Sequence, residues 1–249
     1  MKPRDTSEPL PPPPAAAEAY LGDQLGLMTA FGDHLADTGV SHGLIGPREV
    51  PRLWDRHILN CAVVTELLAP EERVADVGSG AGLPGLVIAI ARPDLHVTLI
   101  EPLLRRVTWL ENVCDDLHLS NVTVVRSRAE QCTDIEVDVV TSRAVARLDT
   151  LSGWSLPLLR AGGRMLALKG SSAQEEVDEA RADLEALGGR RIEVLSVGAG
   201  VVDPPTAIVR VEIDERVART SPKKKKNGSS PSRRAARRKR QQRNENRRK

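Results

Sequence analysis

Residues 74–85 have the sequence Val74-Ala-Asp-Val-Gly-Ser-Gly-Ala-Gly-Leu-Pro-Gly85. The β-branched start is typical of a buried strand, and the apolar run that follows, Leu86–Ala91, is typical of a buried helix. Between them, glycines at positions 78, 80 and 82 permit positive φ angles and let a ligand approach the backbone. The free N–H groups of a helix N-terminus follow. This stretch therefore predicts a strand, a ligand-binding turn and a helix.

Beyond this stretch, short β-branched runs alternate with amphipathic ones, which is typical of βαβ units and a parallel sheet. Strands are predicted at Val74–Val77, Val97–Ile100, Val122–Val125, Val137–Ser142, Met165–Leu168, Ile192–Val197 and Ala207–Ile213. Helices are predicted at Pro84–Ala91, Leu103–Leu117, Leu148–Leu159 and Ala173–Leu187. The short link 198–206 makes the last two strands antiparallel. We therefore expect an α/β fold with a mostly parallel, seven-stranded sheet.

The composition divides the chain into four segments. Residues 1–17 are proline-rich and are expected to be disordered. Residues 18–70 carry apolar side chains at helical spacing and predict an N-terminal helical cap, with a first helix from Glu18 to Gly39 and a second that Pro51 opens. Residues 71–215 form the sheet domain. Residues 216–249 are rich in Ser, Pro, Asn, Lys and Arg and are expected to be disordered.

The net charge of +2 is the sum of two segments with opposite charges. Residues 219–249 contain 15 Lys+Arg and one acid, 15 − 1 = +14, so the remainder carries 21 − 33 = −12. Polybasic arms usually meet nucleic acid or anionic membrane surfaces, and a merely solubilising arm is the alternative.

Several classes of protein are excluded. The three cysteines show no C-x-x-C spacing and the histidines no metal-ligand pattern, so we expect a reducing compartment and no metal. The longest apolar run is far below the ~18 residues of a membrane span, which predicts a cytoplasmic protein without a membrane partner. No Lys-Ser/Thr follows the glycines, which excludes a P-loop.

The glycine turn allows three interpretations. Glycines 80, 82 and 85 satisfy G-x-G-x-x-G, the pattern of a dinucleotide site, and a tight structural turn also needs small residues. Asp76 before Gly78-Ser-Gly80 gives instead the form D-x-G-x-G-x-G, which resembles motif I of S-adenosylmethionine-dependent methyltransferases. Glu101 follows Gly82 by 19 residues and ends the second strand, where a carboxylate can accept hydrogen bonds from ribose hydroxyls.

Three more strands end in residues that can carry a function. Ala129 and Glu130 follow the third strand, where they can line an adenine ring, although an ordinary capped loop fits their spacing nearly as well. Arg143 ends the fourth strand and Lys169 the fifth. Lys2 and Lys169 are the only lysines before residue 219. A lysine at this place can contact a phosphate or a substrate, or can serve equally well as a salt-bridge partner.

A wider set of short motifs occurs in order: His57-Ile-Leu-Asn, Asp76–Gly85, Arg106-Val-x-x-Leu110, Ser127-Arg-Ala-Glu130, Ser142-Arg-Ala144 and Leu168-Lys-Gly170. Over residues 20–213 or so, the sequence resembles the RsmG (GidB) family of small-subunit ribosomal RNA guanine-N7 methyltransferases. The resemblance implies a class I methyltransferase sheet (Rossmann-like) behind a helical cap, S-adenosyl-L-methionine as donor, and a guanine of 16S rRNA as acceptor.

The resemblance also implies roles for individual residues. Gly78, Leu83, Ala129, Glu130 and Arg143 match cofactor contacts. The glycine turn adds Gly80 and Gly82, and the end of the second strand adds Glu101. Three further residues match basic positions at the mouth of the pocket in the family: His57, Arg128 and Lys169.

Guanine N7 carries a free lone pair, so its methylation needs no general base. We therefore assign Arg143 and Lys169 to positioning. Further contacts to RNA are expected from basic residues of the body and the tail: Arg105, Arg106, Lys223, Lys224, Arg237 and Arg238.

We expect the partner to be 16S rRNA or the small-subunit particle, and the protein to be a monomer. The alternatives are a methyltransferase acting on a different RNA or small-molecule acceptor, a dinucleotide oxidoreductase, and a non-catalytic RNA-binding protein.

Overall fold

The sheet contains seven strands in the computed structural model, which describes residues 9–218. In chain order they are β1 Arg73–Val77, β2 His96–Ile100, β3 Val122–Val125, β4 Val137–Arg143, β5 Leu159–Lys169, β6 Gly189–Val197 and β7 Thr206–Ile213. Their spatial order is β3-β2-β1-β4-β5-β7-β6. The pairs from β3 to β5 are parallel, whereas β7 is antiparallel to both β5 and β6. The predicted seven-stranded, mostly parallel sheet is confirmed.

Three α-helices precede the first strand: α1 Ala15–Leu21, α2 Leu25–His34 and α3 Asn60–Ala62. The others each follow a strand: α4 Gly85–Ala91 follows β1, α5 Leu104–Asp116 follows β2, α6 Leu148–Ser155 follows β4 and α7 Ala173–Ala186 follows β5. In the N-terminal part, π-helical turns at Leu35–Gly39 and Leu53–Leu59 and a 3-10 turn at Val63–Leu67 extend the α-helices. A 3-10 turn at Leu156–Leu158 follows α6, so β5 begins at Leu159, where the sequence predicted the end of a helix.

The N-terminal segment is ordered earlier than the sequence predicted. Helix α1 begins at Ala15, and Ala17 is completely buried. Upstream, Leu10 packs against the cap core, and the Trp54 indole N–H donates a hydrogen bond to the carbonyl of Pro11 at 2.8 Å. The expected disorder of residues 1–17 is therefore wrong for residues 9–17, because Leu10 and Ala17 find apolar partners that the local composition does not reveal.

The core lies on both faces of the sheet because successive side chains of a strand point to opposite sides. Along β4, Val139 belongs to the apolar cluster that contains the cap helices, α4 and α5. Its neighbour Val140 belongs to the cluster that contains α6 and α7. The cap thus shares one continuous core with the sheet, and this core holds the cap next to the strands that carry the candidate site.

Candidate functional site

The glycine turn joins β1 to α4. Gly78 has φ +73° and donates its N–H to the carbonyl of Ile100 at 2.9 Å. A Cβ atom at Gly78 would lie 2.8 Å from a methyl carbon of Val145. Both the positive φ and this close approach exclude a larger residue, so the glycine is required here.

Asp76, on β1, is connected to the start of α4 by a buried hydrogen bond. Its side chain is completely buried, and Oδ2 accepts a hydrogen bond from the N–H of Gly85, the first residue of α4, at 3.0 Å. Oδ1 has no hydrogen-bond partner among the described residues. Burial raises the pKa of the Asp76 carboxyl to about 7, and the nearby charge of Glu101 acts in the same direction. The motif drew attention to Asp76, but the sequence did not predict a site role for it.

Glu101 connects the turn to the end of β2. The residue is 1% exposed, and Oε2 accepts a hydrogen bond from the Gly80 N–H at 3.1 Å. Oε1 accepts one from the Leu103 N–H at 3.0 Å, and a guanidinium nitrogen of Arg106 lies 3.4 Å from Oε2. A buried carboxylate is thus held beside the glycine turn, as the spacing predicted.

A cavity of about 390 Å³ opens at the carboxyl ends of β1 and β2. It brings together Gly78, Glu101, Ala129 and Glu130 from the predicted cofactor set. Gly80, Gly82 and Leu83 belong to the turn but not to the cavity lining. The remaining lining residues are Val77, Ile100, Pro102, Leu103, Arg106, Ser127, Arg128, Ala144, Val145 and Trp154.

A larger cavity, of about 620 Å³, lies between the cap and the carboxyl ends of β4 and β5. Its lining carries four cationic side chains and one acidic one, namely Arg56, Arg143, Arg147, Lys169 and Glu176. The remaining lining residues are Asn60, Ala144, Val145, Ala146, Leu168, Gly170 and Thr206.

The two cavities adjoin through a short backbone segment. Ala144 and Val145 line both, and they follow directly on Arg143, the last residue of β4. Ala144 has φ +55°, an unusual angle for a residue with a side chain. This segment, which we call the partition, separates a pocket lined by the glycine motif from a pocket lined by cations.

Lys169 lies in the wall of the larger cavity, and its side chain is 10% exposed. Its ammonium group donates hydrogen bonds to Glu176 Oε2 at 2.6 Å and to the Ala146 carbonyl at 3.1 Å. The salt-bridge interpretation is confirmed. Because Lys169 also lines the cavity, its contact with a phosphate or a substrate stays a prediction.

Arg143 faces the cap. Its guanidinium group donates to the Arg56 carbonyl at 3.1 Å, to His57 Nδ1 at 2.9 Å and to the Cys61 sulfur at 3.4 Å. Arg143 lines the larger cavity and not the smaller one, so the structure does not bring it to the other residues of the predicted cofactor set. Burial raises the pKa of the Cys61 thiol to about 11, which keeps the sulfur neutral.

His57 lines neither cavity, although the sequence predicted an RNA contact for it. Its side chain is 12% exposed, and its second ring nitrogen, Nε2, lies 2.7 Å from Glu49 Oε2. Both ring nitrogens therefore already have partners within the protein.

The other predicted RNA contacts are dispersed. Arg105 is exposed on α5, Arg106 is bonded to Glu101, and Arg128 lines the smaller cavity. The predicted tail contacts, Lys223, Lys224, Arg237 and Arg238, lie outside the described residues.

Sequence reasoning missed Arg147 and Glu49 as residues of this region. Their proximity to the site depends on how the cap packs on the sheet, and no local sequence pattern predicts this packing.

Within residues 9–218, no three His, Cys, Asp or Glu side chains are grouped so that they could hold a metal ion. None of the helices described there has the length and apolar character needed to cross a membrane.

The family model described as "rRNA small subunit methyltransferase G" (GidB) matches residues 24–203. The chain belongs to this family. A family relative from Renibacterium salmoninarum, "Ribosomal RNA small subunit methyltransferase G", is 56% identical over 199 residues, which cover 79% of this chain and 93% of that protein. A relative of the same name from Mycolicibacterium gilvum is 55% identical over 204 residues, 80% of this chain and 89% of that protein.

Solved structures agree with this family fold. An S-adenosylmethionine-dependent O-methyltransferase from Thermotoga maritima has a TM-score of 0.50 at 17% identity and covers 77% of this chain and 72% of its own. A methyltransferase from Pyrococcus furiosus has a TM-score of 0.50 at 13% identity, with 62% and 82% covered. The predicted family and the predicted class I methyltransferase fold are confirmed.

Proposed function

We propose that this protein transfers a methyl group from S-adenosyl-L-methionine to N7 of a specific guanine in 16S rRNA of the small ribosomal subunit. One observation carries the proposal. Two cavities meet at the carboxyl edge of the sheet and share the partition, Ala144 and Val145. A donor in the smaller cavity and an acceptor base in the larger one can therefore approach each other at this segment.

The residues of the smaller cavity fit the donor. Its volume of about 390 Å³ lies within the ~300–1,000 Å³ of small-molecule sites. The bare backbone at Gly78 permits close approach, and the Glu101 carboxylate can accept hydrogen bonds from ribose hydroxyls. Ala129 and Glu130 provide a wall for the adenine. When bound, the donor supplies a methyl group that its sulfonium sulfur activates.

The larger cavity fits a nucleotide of RNA. Its lining carries four cations against one carboxylate, with Lys169 paired to Glu176 and Arg147 paired to Glu179. Such a lining attracts phosphates, and phosphate contacts fix the position of a nucleic acid on a protein. The one carboxylate among its lining residues, Glu176, is already held by Lys169. The cavity therefore presents a positively charged surface next to the partition.

The chemistry of N7 suits these side chains. The N7 lone pair forms the new nitrogen–carbon bond while the methyl–sulfur bond breaks, and no proton has to leave. Among the described residues that line the larger cavity, the one candidate base is the ion-paired Glu176. Orientation of the reactants, which can supply ~7–11 kcal/mol, is then the main contribution that the protein makes.

Lys169 and Arg143 share the positioning. Lys169 presents its ammonium group in the wall of the acceptor cavity, where it can steer a phosphate or the purine. Arg143 directly precedes the partition. Its hydrogen bonds to the carbonyl of Arg56 and the ring of His57 connect this segment to the cap. Neither residue forms a covalent bond with the substrate.

The body outside residues 219–249 carries a formal charge of −12, so approach to RNA depends on local basic residues. Arg105, Arg106 and Arg128 are candidates in the body, and the +14 tail is the anchor. The protein acts as a cytoplasmic monomer on the rRNA or on the small-subunit particle.

The test is to incubate the full-length protein with methyl-labelled S-adenosylmethionine and unmodified small-subunit particles or their rRNA. After digestion, mass spectrometry identifies the labelled nucleoside. We expect 7-methylguanosine at one site and no label in particles that were methylated beforehand with unlabelled donor. Label in any other nucleoside would refute the N7 assignment. Absence of label from both substrates, with measurable donor binding, would refute the assignment to rRNA.

A further inference from the structure

Three side chains are linked by a chain of hydrogen bonds that runs from the cap to the residue before the partition. Glu49 lies in the 3-10 turn Pro47–Arg52, His57 in the π-helical turn Leu53–Leu59, and Arg143 at the end of β4. Glu49 Oε2 lies 2.7 Å from His57 Nε2, and His57 Nδ1 lies 2.9 Å from an Arg143 guanidinium nitrogen. The residues are distant in sequence, so only the packing of the cap on the sheet brings them together.

The partners determine the protonation of the His57 ring. A guanidinium group can only donate hydrogen bonds, so His57 Nδ1 must present its lone pair to Arg143. Nε2 then carries the ring proton and donates it to the Glu49 carboxylate. The arrangement fixes a neutral ring with one defined tautomer.

The charges around the ring agree with this state. Burial lowers the pKa of His57, and the positive charges of Arg143 and Arg56 lower it further, while the hydrogen bond to Glu49 acts against them. The hydrogen bond with His57 is in turn the main cause that lowers the pKa of Glu49. Two arginines also lower the pKa of Glu49: Arg56, whose Nε lies 3.8 Å from Oε2, and Arg52.

This chain of hydrogen bonds ends at Arg143, next to the partition. Arg143 directly precedes Ala144 and Val145, which line both cavities. Four hydrogen bonds hold its guanidinium group on the cap, to the carbonyls of Arg56 and His57, the ring of His57 and the sulfur of Cys61. Two of these acceptors are side chains, His57 and Cys61. Among the described residues, only the His57 ring of the two has a further hydrogen-bond partner, Glu49.

We propose that Glu49 is a positioning residue: through the His57 ring it orients Arg143 and thereby holds the partition between donor and acceptor. This inference rests on the proposed function for its catalytic consequence. Glu49 lines neither cavity, so its effect on the reaction is indirect. Since methyl transfer depends on alignment, a small shift of the partition affects turnover more than it affects binding of the donor.

The kinetic test compares Glu49→Ala with Glu49→Gln. The glutamine carbonyl can still accept a hydrogen bond from the His57 Nε2–H, whereas alanine cannot. We expect Glu49→Ala to lower kcat about tenfold and Glu49→Gln to stay within about threefold of wild type, with the Kd for S-adenosylmethionine changed less than about twofold in both. Asp33→Ala, which removes an exposed carboxylate from α2 of the cap, serves as the matched control and should leave kcat unchanged.

Two kinetic results would overturn the proposal. One is a wild-type kcat for Glu49→Ala. The other is equal loss in Glu49→Gln and Glu49→Ala, because then the charge of Glu49 and not its hydrogen bond to His57 would matter. Circular dichroism and thermal unfolding of each variant show whether the fold is retained; if Glu49→Ala unfolds, the Glu49→Gln variant and the spectroscopic test below decide.

A spectroscopic test requires no activity. In ¹⁵N-labelled wild-type protein, we expect His57 as the neutral Nε2–H tautomer with a protected, downfield Nε2 proton, assigned by its absence in His57→Asn. This proton signal should persist in Glu49→Gln and disappear in Glu49→Ala through exchange with water. Observation of the Nδ1–H tautomer in wild type would contradict the inferred chain. If the proposed function alone is wrong, the wild-type protein will show the Nε2–H tautomer of His57 but will produce no methylated guanine.

Discussion

The side chain of Val145 packs so closely on Gly78 that a Cβ atom at Gly78 would lie 2.8 Å from a Val145 methyl carbon. Gly78 belongs to the turn after β1, and Val145 to the partition after β4. The absence of a side chain at one strand end therefore makes room for the residue that separates the two cavities. A change at Gly78 is expected to affect both pockets.

Gly78→Ala should weaken donor binding at least about tenfold, because alanine adds both positive-φ strain at +73° and a clash with Val145. Isothermal titration calorimetry with S-adenosylmethionine measures the effect. Gly43→Ala is the matched control: Gly43 also has a positive φ, +67°, but an added Cβ meets nothing within 4 Å. Equal affinities for the Gly78→Ala variant and wild type would contradict the assignment of the turn to the donor.

Gly85→Ala should lower the free energy of unfolding by about 1–3 kcal/mol, as overpacking of a core does. A Cβ at Gly85 would lie 2.7 Å from Asp76 Oδ2 and would also clash with the side chain of Leu99. Gly153→Ala in α6 is the opposite case, since a Cβ there meets nothing within 4 Å, and should stabilise the protein by about 0.5–1 kcal/mol. Urea denaturation of the two variants measures both effects, and equal midpoints would contradict this account of α4.

Lys169→Ala should lower kcat/KM for the RNA at least about tenfold, because the acceptor cavity loses a cation and retains an unpaired Glu176. The double variant Lys169→Ala/Glu176→Gln separates these causes. Recovery of the wild-type value in the double variant would mean that Lys169 only neutralises Glu176 and contacts no RNA. Arg181→Ala, on the exposed face of α7, is the control and should have no effect.

Arg143→Ala should also reduce methyl transfer strongly, by releasing the partition from the cap. Rates for single turnovers with saturating RNA and donor measure this loss. Wild-type rates in both Arg143→Ala and Lys169→Ala would refute the positioning roles proposed for the two residues.

Asp76 should make stability fall as the pH rises. Its pKa in the folded protein, about 7, is raised above the usual value of 3.8, so its favourable contribution is complete below pH 3.8 and is lost as the pH rises through 7. Asp76→Asn keeps an acceptor for the Gly85 N–H and removes the titration. Unfolding in urea at pH 5 and pH 8 should show that the variant gains stability relative to wild type at the higher pH. A pH-independent difference would contradict the raised pKa.

Removal of residues 219–249 should weaken binding to rRNA and flatten its salt dependence, because each phosphate that the tail neutralises contributes roughly 0.7–0.9 to the slope of log K against log salt. The affinity for S-adenosylmethionine should not change. Filter binding at several salt concentrations gives the slope for both proteins. An unaltered slope would favour the alternative, in which the tail is a solubilising arm.

Local chemistry explains why much of this protein can be predicted from sequence. The turn after β1 requires glycine because of its backbone angle at Gly78, and β-branched runs such as Val137–Ser142 are typical of strands in the buried interior of a sheet. The carboxyl ends of parallel strands meet at one edge, which is why Glu101, Ala129 and Glu130 were correctly expected near the turn. The ordered packing of Leu10 and Ala17 was missed because their apolar partners are distant in the sequence.

The sequence by itself determined the succession of strands and helices along the chain, the glycine turn, the acidic residue beside it and the family. Only the tertiary structure decided that Arg143 turns toward the cap, that His57 has both ring nitrogens engaged, and that Glu49 belongs to the same chain of hydrogen bonds. The physical reason is that backbone angles and hydrophobic periodicity are properties of neighbouring residues. The partners of a buried polar side chain, in contrast, are set by which distant segments meet when the cap and the sheet bury their common core.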